Sequence, residues 1–196
     1  MKDGMDTRRA LPAAELAKRN KRRKITQVCY VTDDYQKTIE YLTVYLQFGP
    51  WTIIENSDAG AKNTFFREKN VKEWKFYVAF TFIGDMQIEV IQPVSGPNPY
   101  EEFLRIKGPG LHHIKEEIPD NEALSERIGE FVQGGIPLIY RGDYMEDRYY
   151  YLDTYQETGA YYEIGNGADV KCHPRYIGVY PEETAGNRSG RGNKHE

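Results

Sequence analysis

Two histidines stand side by side in "GPGLHHIKEEI", residues 108–118, in a chain that holds only four. Imidazole is the side chain best suited to both proton transfer and metal ligation near neutral pH. The segment reads as a strand that follows a Gly-Pro-Gly turn. Neighbours on a strand point to opposite faces, so His112 and His113 are not expected to share one role. Carboxylates recur in similar settings. In "MQIEVIQ" (86–92) Ile88 and Val90 share one face while Gln87 and Glu89 share the other; in "GAYYEI" (159–164) Tyr161 and Glu163 oppose Tyr162 and Ile164. A glutamate within a strand either faces solvent or, if buried, needs a cation, hydrogen bonds or a metal. Taken singly, Glu89 and Glu163 fit the solvent-facing reading; at matching positions of two similar halves they favour a metal. Lys115 lies two residues beyond His113, on the same strand face. It is open to three roles: acid/base group, anchor for an anionic substrate, or partner of Glu117 or Glu89. Lys75 is a weaker acid/base candidate.

The elements that must position these residues come in two similar runs. "ITQVCYVT" (25–32) is β-branched and aromatic, hence a strand. A helix follows, capped by Asp33 or Asp34, with Tyr35, Ile39, Leu42 and Leu46 on one face and Gly49 as its stop. Strands are expected at 50–55, 74–83 and 86–92. "SGPNPYEEFLRIKGPG" reads as a linker with a short helix, and the pattern then restarts. A strand over 111–118 is followed by a helix from Asp120 or Asn121 to Gly134-Gly135, then strands at 136–141, 147–153 and 159–164. Each half is β-α-β-β-β, and two such units can pair into one curved surface. The division is therefore 1–24 as an N-terminal extension, 25–98 and 99–165 as the two modules, and 166–196 as a C-terminal extension with a polar, Gly-rich, mobile end.

With 196 residues, 39% hydrophobic and 29% charged, the chain has the make-up of a soluble protein with a real core. The net charge of −4 divides unevenly: residues 1–24 hold nine Lys/Arg against three Asp/Glu. Such an arm can touch an anionic surface, but a solvated extension explains it as well, and nucleic acid is not expected as a partner. Cys29 and Cys172 have no CxxC spacing, so neither a zinc site nor a disulfide framework is indicated. No apolar run is long enough to span a bilayer and no signal-peptide core precedes the first strand, so a cytoplasmic location is expected. Sixteen tyrosines are present, and Tyr77, Tyr149, Tyr150, Tyr151 and Tyr161 fall on the strands expected around a cavity. Alternation puts Tyr149 and Tyr151 on one face and Tyr150 on the other. They fit either a core with wet tyrosine ends or a cleft for a planar, aromatic small molecule.

Four stretches carry a family resemblance: "TQVCYVTDDYQKTIEYLTVYL", "MQIEVIQPVSGPNPYEEFL", "GPGLHHI" and "YYLDTYQETGAYYEI". In order and spacing they resemble the vicinal-oxygen-chelate superfamily, in particular the branch that holds methylmalonyl-CoA epimerase. The resemblance implies an α+β fold: two pseudo-symmetric βαβββ modules forming a curved mixed sheet around a cleft. It implies a divalent metal ion (Mn, Co, Ni, Mg or Zn) held by Gln27, Glu89, His113 and Glu163. The family often has histidine at the first of these positions. Glutamine there disfavours two-histidine, one-carboxylate iron chemistry. Aligning the two modules sets Gln27 against His113, so His113 faces the site and His112 packs or caps behind it, where Gln or Asn should be tolerated. The implied activity is a racemase or epimerase that inverts a stereocentre next to a carbonyl through an enolate. Its substrate would be aromatic or CoA-linked, and its catalytic residues Glu163 as first choice of base, Glu89 and Lys115. A glyoxalase-type lyase on a thiol adduct and a non-catalytic small-molecule binder are the alternatives. A homodimer is expected.

Overall fold

The computed structural model describes residues 10–167 and 175–182. The first nine residues, Cys172 and the Gly-rich tail after Glu182 lie outside the described residues.

The first half begins with β1 (Lys24–Val31), preceded by α1 (Ala13–Asn20) in the basic arm. Asp34 then caps α2 (Tyr35–Leu46) by accepting from Lys37 N–H at 3.0 Å, which satisfies one of the otherwise unpaired N–H groups of the first turn. Tyr35 and Ile39 turn inward, whereas Leu46 is exposed. The helix ends at Gln47, which takes the left-handed conformation expected of Gly49. Next come β2 (Trp51–Ser57), β3 (Ala61–Phe66), β4 (Lys69–Asn70), β5 (Lys75–Ile83) and β6 (Met86–Ser95). After α3 (Pro99–Lys107) the second half supplies β7 (Gly110–Glu117), α4 (Asn121–Gln133), β8 (Leu138–Tyr144), β9 (Asp147–Leu152), α5 (Tyr155–Thr158) and β10 (Tyr161–Gly165). A last strand, β11 (Arg175–Tyr180), lies in the C-terminal extension.

Among the described residues these strands form one curled, half-barrel mixed sheet in the order β11-β2-β5-β6-β1-β7-β10-β9-β8-β3-β4. Its centre is the antiparallel pair β1/β7, flanked by parallel partners, β6 beside β1 and β10 beside β7. This gives the expected two βαβββ modules, joined along their first strands. Two features were not expected. The β3–β4 excursion leaves the first module and pairs with β8 of the second, and β11 covers the opposite edge at β2. Lys62 and Asn63 interrupt any alternation within β3, so its partner lies in tertiary structure rather than in its own pattern. Both additions occupy sheet edges that would otherwise offer unpaired backbone groups.

One face of the sheet is covered by α2 and α4. Ile88 and Val90 pack with Tyr35, Ile39, Trp51 and Ala79 under α2, and Leu152 and Ile164 pack with Leu124 under α4. The other face carries Cys29, Phe76, Val78, Ile91, Tyr140 and Tyr151, closed at one end by Tyr100 and Phe103 of α3. Among the described residues no helix is long and apolar enough to cross a membrane.

The basic arm is tied to the second module. Arg23 meets the buried Glu116 with two hydrogen bonds of 2.7 and 2.8 Å, and Tyr162 Oη donates to the same carboxylate at 2.7 Å. Burial alone would raise the Glu116 pKa, but the hydrogen bonds from Arg23 and Tyr162 outweigh it and hold it below its ordinary value. Stability from this lowered carboxylate is present above the ordinary range and is lost as pH falls through the folded value. Arg23→Ala leaves a buried charge unpaired and should cost about 3 kcal/mol in chemical denaturation near neutral pH. The gap between variant and wild type should shrink as pH falls through the carboxylate range.

Candidate functional site

Parity and register place the polar residues. β1 and β7 pair with Gln27 opposite Lys115 and Cys29 opposite His113. A two-fold axis relating the strands therefore carries Gln27 onto His113 and Cys29 onto Lys115. The parallel neighbours obey the same symmetry, with Glu89 beside Cys29 and Glu163 beside Lys115. Glu89 and Glu163 are thus equivalent members of the two modules. Both reach one centre: His113 Nε2 lies 2.9 Å from Glu163 Oε2 and 3.7 Å from Glu89 Oε2.

His113 is fully buried, and its Nε2, like the buried Oε1 of Gln27, lacks an aligned hydrogen-bond partner in spite of the nearby carboxylates. An unpartnered imidazole nitrogen beside two carboxylates, with an unpartnered amide oxygen in a residue lining the same cavity, is an environment that a cation satisfies. Cys29, Glu89 and His113 offer ligand atoms within 4.8 Å of one another. The lack of CxxC spacing gives no sign of Cys29 as a ligand; its place two residues after Gln27 on one strand face is the signal the sequence offers. Burial and the charge of Glu89 push its thiol pKa well up.

Lys115 pairs neither with Glu117 nor with Glu89. Its ammonium lies 2.9 Å from Glu163 Oε1, because the β7/β10 register sets these two residues side by side. Gly165 leaves the path open: a Cβ there would come within 3.0 Å of Lys115 Cε and 2.7 Å of the Arg148 carbonyl. Burial would raise the Glu163 pKa, but the charges of Lys115 and His113 outweigh it and hold it well below the carboxylate range. Lys115 shows the reverse: burial opposes its charge and Glu163 more than restores it, so its pKa is raised. Glu89, which is paired less closely, is pushed upward, chiefly by burial. Lys75 pairs with Glu55 at 3.3 Å and does not line the cavity.

The cavity in front of these groups has a volume of about 790 Å³ and is lined by Gln27, Glu89, Lys115 and Glu163 among many aromatic rings. The expected tyrosines are only partly the right ones. Tyr149 and Tyr151 line it, whereas Tyr77 packs on Tyr35 under α2 at 5.3 Å, Tyr150 packs under α4, and Tyr161 lies against Tyr155 at 5.5 Å. Tyr100 and Tyr140 complete the wall, and the Tyr100 and Tyr151 hydroxyls meet at 2.9 Å. Burial raises the pKa of each of these phenols, to about 12 for Tyr149. They are neutral hydrogen-bond donors.

His112 departs from simple alternation. Opposite β1 the register passes from His113 at Cys29 straight to Leu111 at Tyr30, so His112 is the extra residue of a bulge. The bulge turns both rings to the same side: both contact Tyr151, and their Nδ1 atoms meet at 2.9 Å. His112 is therefore not behind the site on the opposite face.

This fold and site have relatives. The family model for the Glyoxalase/Bleomycin resistance protein/Dioxygenase superfamily matches residues 26–151, and the chain belongs to that superfamily. A hypothetical protein from Bacillus halodurans C-125 superimposes with a TM-score of 0.53 at 19% identity, over 78% of this chain and 99% of that one. Methylmalonyl-CoA epimerase from Mycobacterium tuberculosis gives 0.53 at 18% identity, over 74% and 88%. A Streptomyces coelicolor methylmalonyl-CoA epimerase bound to 2-nitronate-propionyl-CoA gives 0.54 at 17%, over 76% and 98%. At such identities the likeness establishes the fold. An uncharacterized protein of Bacillus subtilis (strain 168), YqjC, is 42% identical over 50 residues, which span 26% of this chain and 36% of that protein.

The Lys115–Glu163 pair makes a stability prediction. Lys115→Met strands a buried carboxylate and should cost about 3–5 kcal/mol. The double variant Lys115→Met/Glu163→Gln should recover part of that loss, as read by denaturant unfolding of the full set of single and double variants.

Proposed function

We propose that this protein is a racemase or epimerase that inverts a stereocentre next to a carbonyl through an enolate. The observation that carries the reading is the convergence of Glu89 and Glu163 on the buried His113 Nε2 at one wall of an aromatic-lined cavity. Gln27, Glu89, His113 and Glu163 would hold a divalent ion, and the orphaned Gln27 Oε1 and His113 Nε2 favour that fit. Bound there, the ion supplies a Lewis acid for the carbonyl oxygen.

The protein groups divide the remaining work. A base needs a pKa near the working pH. Glu163 is the base that the resemblance suggests, but Lys115 holds it far below that range. Glu89 lines the cavity and, among the described residues, has no ammonium paired to it, so it is the carboxylate left to accept the α-proton. Lys115 is then the charge that fixes Glu163, and its raised pKa makes it a poor proton donor. The neutral tyrosine hydroxyls at the wall can donate hydrogen bonds to a developing enolate oxygen.

Charge favours one substrate class over another. Lys115 is the only Lys or Arg among the described residues of the lining, against Asp85, Glu89, Glu117, Asp147 and Glu163. An acidic, aromatic wall suits a neutral or cationic planar substrate and repels the phosphates and free carboxylate of an acidic CoA thioester.

A panel of chiral α-substituted carbonyl compounds in D₂O, aromatic and CoA-linked, tests this reading. Deuterium should enter the α-position of an aromatic member as its optical rotation decays. A thiol-dependent conversion would instead indicate a lyase, and an unchanged bound compound a carrier. Glu89→Gln should lower exchange by about 10²–10⁴-fold. If Glu163→Gln loses exchange by that order and Glu89→Gln does not, the base is Glu163.

A further inference from the structure

We infer that His112 is a positioning residue for the metal ligand His113, acting as the acceptor for its Nδ1–H. The inference rests on the metal reading above but concerns a residue to which that reading gives no role. His113 turns Nε2 toward Glu89 and Glu163, so Nε2 is the atom that would meet an ion. A neutral imidazole that ligates through Nε2 carries its proton on Nδ1. The group facing that nitrogen is His112 Nδ1, at 2.9 Å. His112 must then accept, and its own proton must sit on Nε2.

The surroundings support that tautomer. His112 Nε2 is buried without an aligned hydrogen-bond partner, but the Pro99 backbone acts on the ring as an acceptor would, favouring a ring proton. Proline has no N–H, so the group is a carbonyl and calls for a ring N–H. The His112 ring is fully buried and held between Tyr100 and Phe103, each with its centroid 5.0 Å away, with Tyr161 at 5.1 Å. Such packing fixes the ring plane, and through the shared hydrogen bond it fixes that of His113. The bulge is what makes the contact geometrically available, since on a regular strand adjacent rings diverge. Outer hydrogen-bond partners of this kind set the orientation and basicity of a ligating histidine, and their loss commonly weakens metal binding about 10–100-fold.

The test uses Zn²⁺ and Co²⁺ titrations of the full chain with His112→Phe, His112→Gln and His113→Ala, together with ¹⁵N-histidine NMR of the zinc-loaded wild type. His112→Phe should keep the ring packing yet bind both ions about 10–100-fold more weakly. His112→Gln, whose side-chain oxygen can accept, should recover most of the affinity, and His113→Ala should lose it. In the wild type, the His113 Nδ1 proton should be slow to exchange and coupled to a neutral ring. Wild-type affinity in His112→Phe, or a proton on His112 Nδ1 in the loaded wild type, overturns the role of His112 while leaving the metal reading intact. Absence of ion binding by the wild type overturns the metal reading itself, and the role of His112 with it. The NMR measurement needs no variant, so misfolding of His112→Phe would not blunt the test.

Discussion

The antiparallel seam between β1 and β7 is the constraint from which the rest follows. Its register sets Gln27 against Lys115 and Cys29 against His113. The parallel strands on either side then bring Glu89 and Glu163 to the same centre. A slip by one residue would exchange every inward and outward side chain of a module. The polar centre would then meet α2 or α4, and Ile88, Val90 and Ile164 would line the cavity. Burial of those apolar side chains beneath the helices therefore also fixes the site.

The two modules have taken up their symmetry unequally. Their carboxylates are equivalent, but the residues beside them differ: Cys29 next to Glu89, Lys115 next to Glu163. Burial raises the pKa of Glu89, whereas the ammonium of Lys115 overcomes burial and holds Glu163 ionised. One fold thus gives two like groups different acid–base character, burial prevailing at Glu89 and a neighbouring ammonium at Glu163. Charge balance also bears on the site as a whole. Buried carboxylates of this kind persist only where cations or hydrogen-bond donors compensate them, and for Glu163 the ammonium of Lys115 does so.

Outside the seam, the additions to the two modules have structural work. Arg23 brings the basic arm onto Glu116, on the face of β7 away from the cavity. The β3–β4 excursion and β11 occupy opposite edges of the sheet. Gly142 illustrates how closely the second module is packed around its tyrosines. A Cβ at that position would collide with the Tyr149 hydroxyl, so a side chain there would have to displace this ring.

Much of this was legible in the chain, because it depends on neighbouring residues. Period-two alternation identified the inward faces of β6, β9 and β10, and the Asp34 and Asp120 caps marked the helix starts. The repeat of β-α-β-β-β pointed to the paired modules, and the resemblance nominated Gln27, Glu89, His113 and Glu163. Other features depended on which distant segments meet. Alternation put His112 on the wrong side, since a bulge exists only relative to the partner strand that skips a residue. The choice of Glu163 over Glu117 or Glu89 as the partner of Lys115 required the register of β10. Likewise β3 and β11 carry weak patterns of their own and become strands at edges supplied from elsewhere in the chain. Local sequence determines which face a side chain takes, but pairing between remote strands decides what that side chain meets.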